Sequence, residues 1–194
     1  MGVNMLNPKD LKRVAIVGTS CSGKTTLASQ LSKLLSVPHI ELDALHWLPN
    51  WQEDSLENFQ SKTASAIANP YWLSDGNYSN KVQEMIWSKA SAVIWLNYSL
   101  PIVFSRGLKR TLMRSLTREE LYSGNRESLT LSFMSKDSIL YWILTTHKRR
   151  SLQYPEKFKR EEYKHLNIIE FNHPAQCRYW LGEMNKYFKA NFSA

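Results

Sequence analysis

Cysteine is scarce in this chain, since Cys21 and Cys177 are the only two among 194 residues. Two thiols cannot build the four-thiolate zinc site of a small zinc module. Cys21 also lies inside a loop motif described below, which argues against a structural disulfide. The composition therefore favours a fold that depends on its hydrophobic core, and the length allows one sizeable core with a small appended lid.

Long apolar runs are also missing from the sequence. No run approaches the roughly 20 residues that a membrane-spanning helix needs. Residues 1–10 are polar, contain Pro8 and lack the apolar segment of a secretion signal. We therefore expect a cytoplasmic location and no membrane partner.

Two further absences concern recognition. The chain has no Asn-Lys-x-Asp sequence, the motif with which GTPase switches recognise guanine, and residues 44–69 contain no arginine and a single lysine, Lys62. A phosphorylated acceptor usually requires a guanidinium group that can bind two oxygens at once. These absences disfavour a GTPase and a phosphorylated acceptor bound by this stretch.

Positive charge is abundant but unevenly distributed. The net charge is +8, and residues 100–165 carry 14 lysines and arginines against 7 acidic residues. A basic segment of this kind attracts polyphosphate or a nucleic-acid backbone. The alternative is a solvated basic face that only aids solubility.

The hydrophobic pattern predicts strands that alternate with helices. The predicted strands cover residues 13–17, 38–42, 71–75, 92–96 and 167–171. The predicted helices cover residues 24–35, 54–68 with Asp54 as cap, 81–89, 101–116, 138–152 with Pro155 ending it, and 175–188. Residues 117–135 are polar and are predicted to form a mobile loop or lid. This alternation predicts one α/β domain over residues 1–194, with a parallel sheet covered by helices on both faces.

The most specific motif lies between the first strand and the first helix. Its glycines permit a tight turn in which backbone N–H groups face phosphate oxygens, and the following helix N-terminus favours negative charge. In this motif Lys24 can reach the β- and γ-phosphates and the Thr25 hydroxyl can ligate Mg²⁺. We predict that ATP is bound by Gly18, Thr19, Ser20, Cys21, Ser22, Gly23, Lys24, Thr25 and Thr26.

Two aspartates follow predicted strands at the same edge of the sheet as the phosphate loop. Asp75 is predicted to hold Mg²⁺ directly or through water, with a turn-capping role as the alternative. Asp43 is predicted to accept a proton from an acceptor hydroxyl, and the alternatives are a turn residue or an acid in the second shell of the metal.

Aromatic residues are dense between these aspartates. His46, Trp47 and Trp51 could stack on a planar acceptor, and we assign them to acceptor binding. The same residues could equally belong to the hydrophobic core.

The predicted helix over residues 101–116 carries arginines at a four-residue spacing, so that Arg106, Arg110 and Arg114 share one face. We expect the opposite face, with Phe104, Leu108 and Leu112, to be buried. A mobile arginine that closes over a γ-phosphate stabilises charge in the transition state. Further candidates are Arg126 in the predicted lid and His147, Lys148, Arg149 and Arg150 at the end of the next helix, although any one of these side chains could simply be exposed.

Four segments together resemble the bacterial topology-modulation proteins, a group related to the adenylate kinases. The segments read VAIVGTSCSGKT, LDALHWLPNW, DGNY and GNRES. The resemblance implies a three-layer P-loop fold of the nucleoside-monophosphate-kinase type, with a five-stranded parallel sheet in the order 2-3-1-4-5 and a short helical lid. It also implies that Arg106 and Arg110 are similar to the pair at the lid entrance, which contacts adenine and phosphate.

The resemblance extends to the lid arginines, where Arg126 and either Arg149 or Arg150 look similar to phosphate-binding residues. We assign Arg110, Arg126 and Arg149 to catalysis, together with Lys24 and Asp43. The adenylate kinases carry Asp-Gly-Phe-Pro-Arg where this chain has Asp75-Gly76-Asn77-Tyr78-Ser79. We assign Asn77 and Tyr78 of this replacement to the acceptor site.

The sequence therefore predicts an ATP- and Mg²⁺-dependent phosphotransferase that acts on a small acceptor, with a nucleoside favoured over a nucleoside monophosphate. The alternative is a regulator that binds nucleic acid, affects DNA topology and uses ATP as a switch. A monomer and a homodimer are both compatible with the sequence.

Overall fold

Five parallel strands form the central sheet of the computed structural model, which describes residues 11–117, 120–125 and 138–192. Their bounds are β1 (Arg13–Gly18), β2 (His39–Glu41), β5 (Trp72–Asp75), β6 (Ala92–Leu96) and β7 (Asn167–Phe171). A separate antiparallel hairpin consists of β3 (Trp47–Leu48) and β4 (Gln52–Glu53). The order β2-β5-β1-β6-β7 has the predicted succession. The predicted order 2-3-1-4-5 counted only the sheet strands. The hairpin, which was not predicted, takes the numbers 3 and 4, so the later sheet strands become β5, β6 and β7.

Helices cover both faces of this sheet. Their bounds are α1 (Lys24–Leu35), α2 (Leu42–His46), α3 (Leu56–Ala66), α4 (Gln83–Trp87), α5 (Leu100–Thr117), α6 (Ile139–Phe158) and α7 (Pro174–Phe192). Three short 3₁₀ turns lie at Pro49–Trp51, Tyr122–Gly124 and Glu161–Tyr163. Within the described part of the chain, no helix combines the length and the apolar character needed to cross a membrane.

The two faces of the sheet bury two separate hydrophobic clusters, as expected for strands covered on both sides. Alternate residues of β1 show this division, because Val14 and Ile16 pack in the first cluster and Ala15 and Val17 in the second. The first cluster also contains Leu31 and Trp180. The second is richer in aromatic rings and includes Phe59, Trp72, Trp87, Trp95 and Tyr154. The predicted α/β class is therefore confirmed.

Helix α6 continues through Pro155, although the proline was predicted to end it after residue 152. Ser138 caps the helix by accepting a hydrogen bond from the Tyr141 N–H at 3.1 Å. Beyond the proline, the Tyr154 and Phe158 rings stack on Trp87, with ring centroids 6.0 and 5.4 Å from it. Aromatic burial on this face compensates for the backbone hydrogen bond that the proline cannot make.

The start of α3 differs from the prediction in a similar way. Ser55, and not Asp54, is the cap, because the Ser55 hydroxyl accepts a hydrogen bond from the Asn58 N–H at 3.1 Å. The Asp54 carboxylate instead binds the Lys62 ammonium group at 2.7 Å.

Of the apolar face predicted for α5, only Phe104 packs against the first cluster. Leu108 and Leu112 are 38% and 47% exposed, while Val103, Gly107 and Thr111 form the buried face. Relative to the predicted face, the buried face is rotated about the helix axis toward the arginines. The reason is that Gly107, which has no side chain, lets α5 pack closely on α6. A Cβ atom at Gly107 would lie 2.7 Å from Cδ1 of Ile143, which is fully buried.

We expect Gly107→Ala to lower the free energy of unfolding by about 1 kcal/mol. Overpacking of this kind costs about 2 kcal/mol, and the better helix propensity of alanine returns about 1 kcal/mol. Urea unfolding measures the difference. Gly182→Ala in α7 is the matched control, because a Cβ there meets nothing within 4 Å, and it should stabilise the protein by about 1 kcal/mol. Equal stabilisation by both substitutions would contradict this packing.

Candidate functional site

The predicted phosphate loop connects β1 to α1. Gly18, Cys21 and Gly23 have φ angles of 151°, 63° and 97°, so the backbone turns repeatedly through conformations that favour glycine. A Cβ atom at Gly18 would lie 2.7 Å from the Leu96 carbonyl oxygen. This oxygen belongs to the backbone of β6 and cannot move aside as a flexible side chain could. The strand, loop and helix therefore follow one another as the motif requires, and the loop ends on the first turn of α1.

Lys24 extends from the start of α1 beneath this loop, with its amino group 3.4 Å from the Thr19 carbonyl oxygen. Burial lowers the pKa of Lys24, while the carboxylates of Asp75 and Asp43 act in the opposite direction. Arg150 also lowers this pKa, because a second positive charge disfavours the ammonium form. Lys24 is thus the point where charges from the loop, both aspartates and helix α6 meet.

Asp75 is a buried carboxylate with both oxygens engaged. The Thr25 hydroxyl donates to Oδ2 at 2.6 Å, and the His39 ring nitrogen Nε2 lies 2.9 Å from Oδ1. His39 was not predicted to take part, because its contact depends on the register of β2 against β5, which pairs Glu41, two residues after His39, with Asp75.

The Thr25 and Asp75 oxygens fit Mg²⁺, which prefers oxygen ligands and keeps several waters. Among the described residues, no group of three or more histidine, cysteine, aspartate or glutamate side chains is arranged to hold a metal ion. Thr25 and Asp75 would supply one or two oxygens to such an ion, and a bound phosphate would supply others. Bound there, Mg²⁺ would neutralise charge on the phosphate oxygens.

Asp43 lies in the first turn of α2 and not at the end of a strand, which corrects the predicted strand over residues 38–42. The Tyr78 hydroxyl donates to Asp43 Oδ1 at 2.6 Å. Burial raises the pKa of Tyr78, and the Asp43 carboxylate raises it further, so the phenol remains a hydrogen-bond donor. The predicted acceptor-side residues Asp43 and Tyr78 are thus in direct contact.

Tyr122, which belongs to the predicted lid, also approaches these carboxylates. Burial raises its pKa, and the charges of Asp43 and Glu41 add to the effect. Sequence reasoning missed Tyr122 because a polar loop gives no indication of which of its residues turns inward.

Residues 120–125 attach to the β3–β4 hairpin. The Ser123 hydroxyl donates to the Trp47 carbonyl at 2.7 Å, and the Asn125 side chain donates to the Leu48 carbonyl at 2.9 Å. The Trp51 N–H donates to the Asn125 side-chain oxygen at 2.9 Å. This part of the predicted lid is therefore held on residues 46–51, called the aromatic segment below, and residues 118–119 and 126–135 lie outside the described residues.

The aromatic residues predicted to bind the acceptor divide into two groups. Trp47 and Trp51 contact each other edge to face at 5.6 Å, and Trp51 is 39% exposed. His46 is only 1% exposed and its ring lies against Trp47, Phe59 and Tyr78. The tryptophans can therefore meet a ligand, whereas His46 packs in the interior behind Tyr78.

Burial and the neighbouring Lys81 ammonium lower the pKa of His46. Unfolding restores its ordinary value, so below about pH 6.5 the unfolded chain binds a proton that the folded chain does not. We therefore expect the free energy of unfolding to fall as the pH drops from 7.5 toward 5.5, roughly the range of histidine titration. Urea unfolding should show a shallower fall for His46→Gln than for the wild type. The same slope in both, with exposed His173→Gln as control, would contradict this expectation.

Two arginines of α5 contact the phosphate loop. Arg106 donates to the Ser22 carbonyl at 2.8 Å and its guanidinium lies 5.4 Å from the centre of the Tyr98 ring. Arg110 reaches the Cys21 sulfur at 3.9 Å. Both side chains therefore lie in direct contact with the phosphate loop.

The assignment of Arg149 to the site requires correction. Arg149 is exposed, whereas the neighbouring Arg150 is half-buried and lies close enough to Lys24 and Asp43 to interact with their charges. The Nη1 atom of Arg150 is buried and finds no hydrogen-bond partner among the described residues. Adjacent helix residues differ by about 100° in direction, so only one of the pair can face the loop. Arg126, the other lid arginine, lies outside the described residues.

Asn77 is also located differently from its assignment. Its side-chain amide bonds to the backbone of Gly18, at the start of the phosphate loop, and not to any residue of the aromatic segment. The Gly76 turn thus directs Asn77 toward the phosphate loop and Tyr78 toward Asp43.

Comparisons with known proteins identify the fold. No protein-family model matches the chain, and no curated protein matches it. Solved structures do: a shikimate kinase from Acinetobacter baumannii in complex with shikimate has a TM-score of 0.51 at 15% identity, covering 94% of this chain and 96% of that one. A gluconokinase from Sinorhizobium meliloti 1021 has a TM-score of 0.50 at 14% identity, with the same coverage. At these identities the likeness is one of fold: the chain shares with these two kinases an α/β fold built on a parallel five-stranded sheet.

Proposed function

We propose that this protein is an ATP- and Mg²⁺-dependent phosphotransferase that transfers the γ-phosphoryl group to a hydroxyl of a small acceptor. The observation that carries the proposal is the convergence of Lys24, Asp75, Asp43 and Arg150, which come from four different elements. Opposed charges at the edge of a parallel sheet, next to a phosphate loop, are what phosphoryl transfer requires.

Each of these groups has a role in the proposed reaction. The loop amides and Lys24 hold the phosphates, and Arg150, with an unbonded Nη1 atom, stabilises charge on the transferred group. Asp43 orients the acceptor hydroxyl and accepts its proton, since a carboxylate held by the Tyr78 hydroxyl at 2.6 Å is already fixed in direction. Thr25 and Asp75 are the residues that would hold Mg²⁺.

The charges on the acceptor side support an acceptor without a phosphate group. Lys62 and Lys81 each lie 2.7 Å from a carboxylate, Asp54 and Glu53 respectively. Glu41 and Asp43 add negative charge near Tyr122. A phosphorylated acceptor would meet this negative field without an arginine from residues 44–69, so a nucleoside or another neutral hydroxyl compound fits better. Membership of the topology-modulation group, inferred from the motifs, is part of this proposal.

The test is a screen for ADP formation by the purified protein with ATP, Mg²⁺ and a panel of nucleosides, nucleoside monophosphates and small metabolites. Lys24→Ala provides the blank for contaminating kinases. We expect ADP formation that depends on a hydroxyl compound without a phosphate group. ADP formation with AMP or CMP and with no nucleoside would contradict the acceptor preference, and no ATP turnover above the blank with any compound would contradict the proposed enzyme.

A second candidate function is an ATP-switched regulator that binds nucleic acid. It is favoured by the basic segment over residues 100–165 and by the exposure of Lys109, Lys148 and Arg149 on α5 and α6. Binding carried by these residues would weaken steeply with salt. A gel-shift titration at low and high salt distinguishes the two functions, and no shift at low salt would exclude the regulator.

A further inference from the structure

We propose that Asn77 is a positioning residue that holds the phosphate loop in its nucleotide-binding form, a role separate from acceptor binding and from phosphoryl transfer. The inference rests on the proposed function only in taking residues 18–25 as the nucleotide site. It concerns how the loop is held before a nucleotide arrives.

The contact itself is double. The Gly18 N–H donates to Asn77 Oδ1 at 3.2 Å, and the Asn77 side-chain NH₂ donates to the Gly18 carbonyl at 2.5 Å. One side-chain amide thus satisfies both backbone polar groups of a single residue. This is the pattern with which a neighbouring strand would pair that residue in a sheet.

The need for such a contact follows from the strand lengths. The β1–β5 ladder has its last register pair at Ile16 and Asp75, and Gly76, with φ of 144°, turns the chain away. Gly18 continues beyond that point on β1, so its N–H and carbonyl on this side have no strand to pair with. The Asn77 amide takes the place of the missing strand where the loop begins.

The orientation of the amide is fixed by its partners. A backbone N–H can only donate, so the atom that faces the Gly18 N–H must be the Asn77 oxygen. The Tyr154 hydroxyl lies 3.0 Å from the same oxygen and donates to it. Tyr154 is 4% exposed and is stacked on Trp87, so this third bond comes from a rigid part of the second hydrophobic cluster.

Loss of the amide should therefore affect the loop more than the fold. Gly18 adopts an unusual φ of 151° and lies against the Leu96 carbonyl, so the start of the loop depends on a precise peptide orientation. Without the two hydrogen bonds, the peptide groups on either side of Gly18 can rotate, and phosphate binding must then restore their orientation at a cost in free energy. A residue with only a structural role would lower the unfolding temperature and leave nucleotide affinity unchanged.

The test measures equilibrium binding of ATP with Mg²⁺ by calorimetry, without any acceptor, at a temperature where every variant is folded. Asn77→Ala removes both hydrogen bonds, and near-isosteric Asn77→Asp sets a carboxylate oxygen against the Gly18 carbonyl. We expect each to weaken ATP binding about tenfold or more. Tyr154→Phe leaves both Gly18 bonds in place and should weaken binding less, by about threefold at most.

The matched control is Ser32→Ala, which removes the hydrogen bond of the Ser32 hydroxyl to the Val37 carbonyl at the far end of α1. It should lower the unfolding temperature while the ATP affinity stays at the wild-type value. ATP binding by Asn77→Ala and Asn77→Asp within about twofold of wild type would overturn the inference, provided that Lys24→Ala loses binding. No ATP binding by the wild-type chain would instead overturn the proposed function, and the inference with it.

Discussion

Arg150→Ala should lower the turnover of ATP about a hundredfold to a thousandfold, the usual cost of removing one group that stabilises charge in a transition state. Arg149→Ala should leave turnover nearly unchanged. The two residues are adjacent and chemically identical, yet Arg150 interacts with Lys24 and Asp43 while Arg149 is exposed. The measurement is kcat for ADP formation with the acceptor found in the screen, at saturating ATP.

This pair of variants is its own control, because both remove one positive charge from the same helix turn. The long-range electrostatic attraction of ATP therefore changes equally in both. A similar loss of turnover in the two variants would show that the net charge of the helix matters and not the position of Arg150. A loss confined to Arg149→Ala would return the catalytic role to the residue predicted from sequence.

Lys24→Met should abolish measurable turnover, a loss of about a thousandfold or more, while the unfolding temperature stays the same or rises. Burial lowers the pKa of Lys24, which means that the charged ammonium group lowers the stability of the folded protein at this position. Lys24 is half-buried. Methionine has a similar volume and no charge, and apolar replacement of a charged group withdrawn from water is often neutral or stabilising. A residue kept at a cost to stability is one that serves function.

The matched substitution is Lys33→Met, since Lys33 lies exposed in the last turn of the same helix. It should retain full turnover and lower stability slightly, by about 0.5 kcal/mol, through loss of a favourable charge at the helix C-terminus. Differential scanning calorimetry and the ADP assay measure both quantities. A clear fall in the unfolding temperature of Lys24→Met would show that Lys24 stabilises the fold through Asp75 and Asp43.

Local signals in the sequence were enough to predict much of the fold. The run Arg13–Val17 is β-branched and stops at a glycine, and Lys24–Leu35 repeats leucine at helical spacing, so both elements were found within one residue. The strands over residues 92–96 and 167–171 were found at their observed bounds. These elements are specified by neighbours along the chain and need no knowledge of the tertiary partners.

The parts that were missed depend on partners distant in sequence. By its local chemistry, Pro155 is expected to end the helix. The helix continues because Phe158, beyond the proline, packs against the rings of Trp87 and Trp95. Leu108 and Leu112 form an apolar stripe, but the close approach permitted by Gly107 decides which face of α5 is buried. A helical pattern gives the spacing of a face and leaves its direction to the packing.

The candidate site divides in the same way. The loop and the Thr25–Asp75 pair follow from a motif and from the rule that ligands bind at the carboxyl ends of parallel strands. His39 and Tyr122 carried no motif, and their contacts arise from strand register and from a turn folded back on the hairpin. The side chain of Asn77 was assigned to the acceptor because a sequence cannot show which way a turn directs each residue.

The aromatic stack at the end of α6 has a consequence several residues away. Tyr154 and Phe158 lie one helical repeat apart and are fixed against Trp87, which sets the rotation of the helix about its own axis. Arg150 lies four residues before Tyr154, on the same side. The rings therefore fix which of two consecutive arginines faces the loop, and exchanging one for the other would require the helix to rotate by about 100° about its own axis.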